Sequence, residues 1–319
     1  VRYSEGEGIE VCVADNGSTD ASVTLLQQEF PSVRTIVLDQ NYGFADGYNL
    51  ALQQVDAEYV VLLNSDVEVT EHWLEPMIAY LDKHPEVAAC QPKIRSQRQK
   101  EYFEYAGAAG GFIDKYGYPF CRGRIMGVVE KDEGQYDTVI PVFWAPGAAV
   151  FIRRTEYVNV GGLEGRFFAH MEEIDLCWRL RSRNREIVCI PQSIVYHVGG
   201  ATLKKENPHK TFLNFRNNLV MLYKNLPQEE LNKVMRIRTC LDYLAAFNFL
   251  LQGHWDNASA VMRARKEYKR LCPSFSLSRE ENMRKKTLNP IPERTKSSIL
   301  WQFYARGCKR FSQLSDLKG

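Results

Sequence analysis

Glu58-Tyr59-Val60-Val61-Leu62-Leu63-Asn64-Ser65-Asp66 is the most apolar short run of the first half of the chain, and it stops abruptly in three polar residues. Residues 58–63 are long enough for a strand and too short for a helix, and an unbroken apolar run of this kind reads as a strand buried on both faces. Upstream, residues 9–14 (Ile-Glu-Val-Cys-Val-Ala) predict another strand, followed by the turn-rich Asp15-Asn16-Gly17-Ser18-Thr19-Asp20 and a helix from about 21 to 29. A strand at 33–38 and a helix from about 44 to 55 lead into 58–63, giving βαβαβ in about 55 residues, the pattern of a parallel sheet covered by helices. Downstream, a helix at 71–83 ends at His84-Pro85 before a strand at 87–91. Residues 95–140 are rich in Gly and Tyr and read as an irregular excursion with short strands. A strand at 147–153, a helix at 172–183 and a strand near 187–190 complete the pattern.

The chain has 319 residues, 45% hydrophobic and 12% aromatic, with 41 Lys and Arg against 39 Asp and Glu. This composition excludes disordered and collagenous classes. No run of 18 apolar residues and no signal-peptide pattern is present, so neither a bilayer span nor secretion is expected. The eight cysteines are scattered without a CxxC pair, which argues for reduced thiols and against a zinc knuckle. The overall charge hides an asymmetry. Residues 231–319 carry 18 basic and 7 acidic residues, net +11, and residues 1–230 carry 23 and 32, net −9. Texture changes at Leu226-Pro227, so the reading divides the chain into a catalytic domain over 1–226 and a basic, amphipathic helical region over 227–319. In the latter, 228–271 is helical with an apolar centre at 240–251, a linker holds Pro290 and Pro292, and a last helix runs from about 296 to 314.

In an open α/β sheet, ligands gather beyond the carboxyl ends of strands, where helix N-termini and loop amides converge. Asp15 follows the first strand and could accept from a base or ribose, or cap a turn. Asp66 follows the 58–63 strand and is placed to hold a divalent cation against a diphosphate, since hard cations take oxygen ligands. Glu172, Glu173 and Asp175 open an amphipathic helix, where the helix dipole offsets part of their mutual repulsion. Either glutamate could take a proton from an attacking hydroxyl. His197 follows the strand at 193–196 and could ligate a cation or be structural.

Taken in order, Val13 to Asp20, Asn41-Tyr42-Gly43-Phe44-Ala45 with Gly47 and Asn49, Leu62 to Asp66, Trp144-Ala145-Pro146-Gly147-Ala148, Gly161-Gly162-Leu163, Phe167 to Arg179, Tyr196-His197 and Arg216-Asn217 resemble the family 2 inverting glycosyltransferases, and within them the rhamnosyltransferase-like branch. The likeness covers residues 9–226. It implies an α/β fold of the GT-A type, a Rossmann-like, mostly parallel sheet flanked by helices, here with a C-terminal helical appendage. It also implies a nucleotide-diphospho-sugar donor, dTDP- or UDP-linked with rhamnose among the candidate sugars, and Mn²⁺ or Mg²⁺ as cofactor. A glycan or lipid-linked saccharide would be the acceptor, in bacterial surface polysaccharide or cell-wall glycan synthesis.

Carried over residue by residue, the resemblance implies that Asp15 contacts the nucleobase and that Asn41, Gly43 and Asn49 line the nucleotide pocket. Asp66 would be the metal-binding acid, with Asn64 near the ribose or sugar and His197 a second metal ligand. Glu173 matches the catalytic base, flanked by Glu172 and Asp175, and Gly147 belongs to the wall of the sugar pocket. One displacement with inversion needs one base and one cation and no covalent intermediate.

Two positions depart from the family pattern. Glu172-Glu173 stands where the family usually shows Glu-Asp, and Asn64 takes the place of an Asp. The family also opens with an additional strand and helix before the Asp15 strand. Because the sequence begins at Val1, the expectation is a sheet without that strand, with weakened nucleotide binding and an exposed apolar surface. A non-catalytic, degenerate copy that binds glycan or a partner enzyme is the alternative from another class. A dehydrogenase is disfavoured because no GxGxxG follows a strand. Nothing in the basic region matches a nucleic-acid fold, and its aromatics at 301–311 suit either a helix lying on an anionic membrane or a solvated helical appendage packed on the catalytic domain. The expected place is the cytoplasm, with peripheral contact at the inner face of the bacterial plasma membrane through 228–319.

Overall fold

The computed structural model describes residues 1–4, 6–199 and 207–314. In chain order, β1 (Cys12–Asp15), α1 (Ser22–Glu29), β2 (Arg34–Val37), α2 (Gly43–Leu52) and β3 (Tyr59–Leu63) follow the expected βαβαβ. Next come β4 (Val67–Val69), α3 (Glu75–Lys83) and the long β5 (Val87–Ser96). The excursion at 95–140 holds a small four-stranded meander, β6 (Gly111–Ile113), β7 (Pro119–Cys121), β8 (Arg124–Ile125) and β9 (Val128–Val129), before β10 (Ile140–Pro141). β11 (Ala149–Arg153), α4 (Arg154–Asn159), α5 (Glu172–Ser182) and β12 (Glu186–His197) complete the sheet region.

The main sheet has the order β10-β12-β5-β11-β3, with β4 added on the far half of β12. Its strands are mixed in direction, a correction to the mostly parallel sheet expected. β12 runs parallel to β5, but β11 lies antiparallel between β5 and β3. The reason is the excursion: β5 ends at the carboxyl edge, the meander stays at that edge, and the chain re-enters the sheet from there. A strand entering at that end has to run backwards, and no crossover helix is required. β1 and β2 pair in parallel as a separate two-stranded sheet. Val37, Leu25 and Phe30 of this part are exposed.

Two apolar layers sandwich the main sheet. On one face Met77 and Leu81 of α3 meet Cys90, Phe151 and Val188. On the other, Phe143, Trp178, Leu180 and Val220 form the larger core.

That larger core also contains Phe275, Ile291, Ile299, Phe303 and Phe311. Part of the chain beyond 226 therefore packs into the same core as the sheet region, while Ala246, Ala258 and Val261 make a small cluster apart from it. After α6 (Pro208–Asn225) come α7 (Gln228–Leu251), α8 (Trp255–Leu271) and α9 (Ser276–Lys285), and α8 packs along α6. The tail then threads back across the catalytic layer. Arg181 and Glu293 form a buried bidentate pair, the Thr295 amide donates to the Ile113 carbonyl, and the Ile299 amide donates to buried Asp114. The helix expected over 296–314 is replaced by two short turns, at Trp301–Ala305 and Phe311–Gln313. Phe303 and Phe311 are drawn into the core, Phe311 beside Phe112 and Phe120, so no continuous amphipathic face remains. Residues 315–319, the end of the region expected to touch a membrane, lie outside the described residues. All eight cysteines are free. Among the described residues no helix is long and apolar enough to cross a membrane.

Candidate active site

The expected site residues collect along one edge because of strand pairing. Ala149 of β11 lies opposite Leu63 of β3, so Asn64-Ser65-Asp66 leaves β3 where Pro146-Gly147-Ala148 enters β11. The Asn64 amide donates to the Ala148 carbonyl at 3.0 Å. His197 ends β12 opposite Val67, and the Val198 amide donates to the Asp66 carbonyl at 3.1 Å. This register sets Nε2 of His197 3.1 Å from Oδ1 of Asp66. Burial of the ring pulls its pKa down, but the carboxylates of Glu104 and Asp66 outweigh this and hold His197 above the ordinary histidine value.

Glu104 was not legible from sequence. It is buried, it accepts from the Ala106 amide, and its Oε2 lies 3.6 Å from Nδ1 of His197, an atom with no hydrogen-bond partner. A hint existed in an acid placed among aromatics at Tyr102-Phe103-Glu104-Tyr105, but nothing local tied it to a histidine 93 residues away.

Next to Gly147 stands the other half of the site. A Cβ on Gly147 would approach Phe44 at 3.0 Å and the Cβ of Glu173 at 3.9 Å, so the absence of a side chain there leaves space in front of Glu173. Glu172 and Glu173 open α5, and one carboxylate oxygen of each is buried without a partner. Burial drives both upward. Glu172 is raised well above the usual carboxylate range, with Glu173 and Asp175 adding to the effect. Glu173 is pushed up to about 7 by burial, against the pull of the amides of Glu173, Ile174 and Met171. A carboxylate that titrates near neutrality has the proton affinity of a general base.

The segment holding these acids is strained. Phe168, His170 and Met171 all have positive φ, at 66°, 71° and 74°. Such conformations cost of order 1–3 kcal/mol each and persist only where the surroundings impose them. Asn217 of α6 supplies the restraint: its Nδ2 donates to the carbonyls of Phe167, Ala169 and His170 at 2.8–3.0 Å. Arg216 adds a bond to the Phe167 carbonyl. From the other side, the Phe44 amide donates to the Phe168 carbonyl. His170 is half-buried, and desolvation, then Lys210 and His209, lower its pKa to about 4, so it is neutral.

The loops after β1 and β2 join this rim through Asn16, another residue that sequence reading passed over. Its side chain accepts from the Tyr42 amide and donates to the Gly43 carbonyl and Asn41 Oδ1. Asp15 is buried and its Oδ2 accepts from the Ser18 amide at 3.1 Å, a turn-forming bond. Asn41 shapes the same turn by accepting from the Gly43 amide. Gly43 has φ of +76°, and a Cβ there would lie 2.5 Å from the Phe168 ring. Gly43→Ala is therefore expected to cost roughly 2–4 kcal/mol, from left-handed strain and overpacking together, and to displace the Phe168 segment. Denaturant unfolding measures this, and an unchanged midpoint would contradict it.

Two expected site residues are not brought to the rim. Asp175 points away into the protein and is fully buried, bonded to Lys224, Arg179 and Asn225. These cations outweigh the desolvation that would raise its pKa and hold it below the ordinary value. It is an anchor between α5 and α6, one helical turn position away from the glutamates it was grouped with. Asn49 likewise uses both ends of its amide inside the protein, accepting from Tyr157 and the Leu163 amide and donating to Asp46 and the Leu163 carbonyl. No donor or acceptor of it is left to line a nucleotide pocket.

Among solved structures, this fold is similar to that of GalNAc-T7, crystallised with UDP, GalNAc and Mn²⁺, at a TM-score of 0.53 and 13% identity, over 90% of this chain and 53% of that one. This is the GT-A architecture, α/β with helices on both sides of the sheet. The description "Glycosyl transferase family 2" matches residues 1–142. The N-acetylglucosaminyl-diphospho-decaprenol L-rhamnosyltransferase of Mycobacterium tuberculosis is 26% identical over 203 residues, 59% of this chain and 66% of that protein. Rhamnosyltransferase WbbL of Escherichia coli is 24% identical over 163 residues, 49% of this chain and 61% of that protein. The chain thus spans just under two thirds of the length of these relatives. Residues 1–142 thus match glycosyl transferase family 2, and rhamnosyltransferases are among the chain's relatives.

Proposed function

We propose that the protein is an inverting glycosyltransferase that moves a sugar from a dTDP- or UDP-linked donor to a glycan or lipid-linked saccharide acceptor with the help of a divalent cation. The relatives' names support the class of reaction, and a lipid-linked acceptor and rhamnose are the finer part of the reading. One observation carries it: Glu173, with a pKa of about 7, stands in a gap opened by Gly147, while Asp66 and His197 converge on the same strand ends.

Among the described residues no three side chains of metal-binding type cluster together. The pair Asp66 and His197 nevertheless fits an open site. Their facing atoms are 3.1 Å apart, close to the spacing of two adjacent ligands on an octahedral cation with bonds of about 2.1 Å. The remaining positions would then be free for donor phosphates, and Mn²⁺ or Mg²⁺ would neutralise charge on the departing diphosphate. Glu173 takes the proton of the acceptor hydroxyl. Burial raises Glu172 as well, and the charge of Glu173 adds to it, so the two neighbouring acids disfavour ionising together. The Asn217 clamp keeps Glu173 in place, and positioning of this kind is worth large factors in rate.

Glu104 supports the cation site by lying 3.6 Å behind Nδ1 of His197, where its charge favours a proton on that nitrogen and leaves Nε2 to ligate. Glu104→Gln is expected to weaken Mn²⁺ binding by about 10–100-fold, read by Mn²⁺ electron paramagnetic resonance. Unchanged affinity would remove Glu104 from the site. The reading as a whole is tested by thermal-shift titration with UDP, dTDP, GDP and NAD, each with and without Mn²⁺. A cation-dependent shift with a pyrimidine diphosphate is the expected result. A shift with NAD alone, or with none of the four, counts against a donor site here.

A further inference from the structure

α7 and α8 form a hairpin whose turn, residues 252–254, is its free end. Ala246, Ala258 and Val261 fill the seam between the helices, with Phe215 of α6 behind them. Toward the free end the apolar residues face outward. Leu251 is 71% exposed, Trp255 70%, Leu244 61% and Phe247 57%, with Tyr243 and Met262 next to them. Between the helices, Tyr243, Phe247, Leu250, Trp255 and Met262 border an open groove of about 450 Å³, with Leu251 and Leu244 exposed outside it. Single exposed apolar residues are ordinary, but a contiguous group on one protruding element marks a surface that something covers.

Charge indicates what covers it. Behind the apolar tip, Arg236 on α7 and Arg263, Lys266, Lys269 and Arg270 on α8 are exposed. From the free end the order is thus apolar and aromatic residues, with His254 and Asp256 exposed at the turn, and then the basic group, in which Arg270 is paired with Glu267. A hairpin that buries its tip among acyl chains places such cations at the phosphate level, and each exposed Lys or Arg there adds to attraction for anionic lipid. Pairing of two copies through the same face would instead set identical basic residues against each other around a two-fold axis, which is unfavourable. We propose that the tip of the α7–α8 hairpin, centred on Phe247, Leu251 and Trp255, is the surface that docks on an anionic lipid bilayer.

The surface is connected to the candidate site. Phe212 of α6 lies under the guanidinium groups of both Arg263 of α8 and Arg216, and Arg216 bonds the carbonyl of Phe167 in the strained segment. Docking at the tip therefore brings the segment that carries Glu173 toward the membrane by way of α6. Under the proposed transfer reaction this suits an acceptor carried on a lipid, but the docking itself does not require that reaction.

The test is co-sedimentation of the full chain with vesicles of phosphatidylcholine, with and without 30% phosphatidylglycerol, at about 0.1 and 0.5 M salt. Binding is expected to the anionic vesicles only, with release at high salt. The double variant Leu251→Glu, Trp255→Glu is expected to bind at least tenfold less. Its melting temperature should be unchanged because both side chains are exposed. Trp301→Glu, a substitution at an exposed aromatic outside the hairpin, is expected to bind like the wild type. Vesicle binding unchanged in the double variant would overturn the proposal. So would a dimer, seen by sedimentation equilibrium without lipid, that the same double variant dissociates. Because no donor is present in these measurements, their failure leaves the transferase reading standing, and failure of donor binding leaves the docking result standing.

Discussion

Glu173→Gln is expected to lower the rate of sugar transfer by about 10²–10⁴-fold while leaving donor binding nearly intact. The amide matches the carboxylate in shape and removes only its capacity to accept a proton. The pH dependence gives a second, independent signature. With a folded-state pKa of about 7, Glu173 is mostly protonated at pH 6 and mostly ionised at pH 8, so kcat should climb through this interval and level off above it. In the glutamine variant the residual rate should lose that inflection. Stability should move in the opposite direction. A carboxyl whose pKa is raised on folding contributes its full stabilisation below its unfolded value, and that contribution fades as pH rises through about 7. The wild type should therefore be less stable at pH 8 than at pH 5, and Glu173→Gln should remove part of this loss, on the order of 2 kcal/mol. Urea unfolding at the two pH values measures it. A variant that keeps full activity, or one whose stability falls with pH as steeply as that of the wild type, would show that Glu173 is not the titrating base.

Asp66→Ala is the second large effect. It removes the carboxylate that faces His197, and the expected result is loss of cation-dependent transfer by about 10³-fold or more, since charge stabilisation at a leaving diphosphate is worth several kcal/mol. Binding should report the same change without turnover. Mn²⁺ affinity in the presence of UDP or dTDP should fall in Asp66→Ala, and Asp66→Asn should recover little of it, because a neutral amide is a poor substitute for a carboxylate on a hard cation. The fold should tolerate both substitutions, as Asp66 is only partly buried and its backbone carbonyl, which holds the Val198 amide, is retained. Full transfer by Asp66→Ala with cation present would refute the assigned role.

Much of this site was legible before any coordinates. Short apolar strands that end in acids or histidine, and a helix that opens on three acids, mark the carboxyl edge of an α/β sheet by local pattern alone. Asp66 and His197 lie on that edge of the main sheet, Glu173 stands beside it next to Gly147, and Asp15 ends β1 of the separate two-stranded sheet. Local pattern could not separate Glu172 and Glu173 from Asp175. All three belong to one first turn, yet the backbone winds so that Asp175 meets Lys224 and Asn225 of α6 while the glutamates lie in a dry rim. The same limit hid Glu104 and Asn16, whose partners are distant in sequence, and the use of the Asn49 amide by the loop at Leu163.

The sequence by itself determined the elements, the α/β class, the family resemblance and the acids that could do chemistry, because hydrophobic period, turn residues and motif order are local properties of the chain. Only the tertiary structure decided which of those acids share a rim, that β11 enters the sheet backwards, and that Phe303 and Phe311 are core residues and not membrane-facing ones. It also revealed an exposed apolar surface at the α7–α8 tip, in addition to the Trp301 and Tyr304 that the tail keeps exposed. These are outcomes of strand register and of competition for burial among distant segments. A side chain's neighbours, and through them its pKa and its exposure, are settled by what the rest of the chain packs against it.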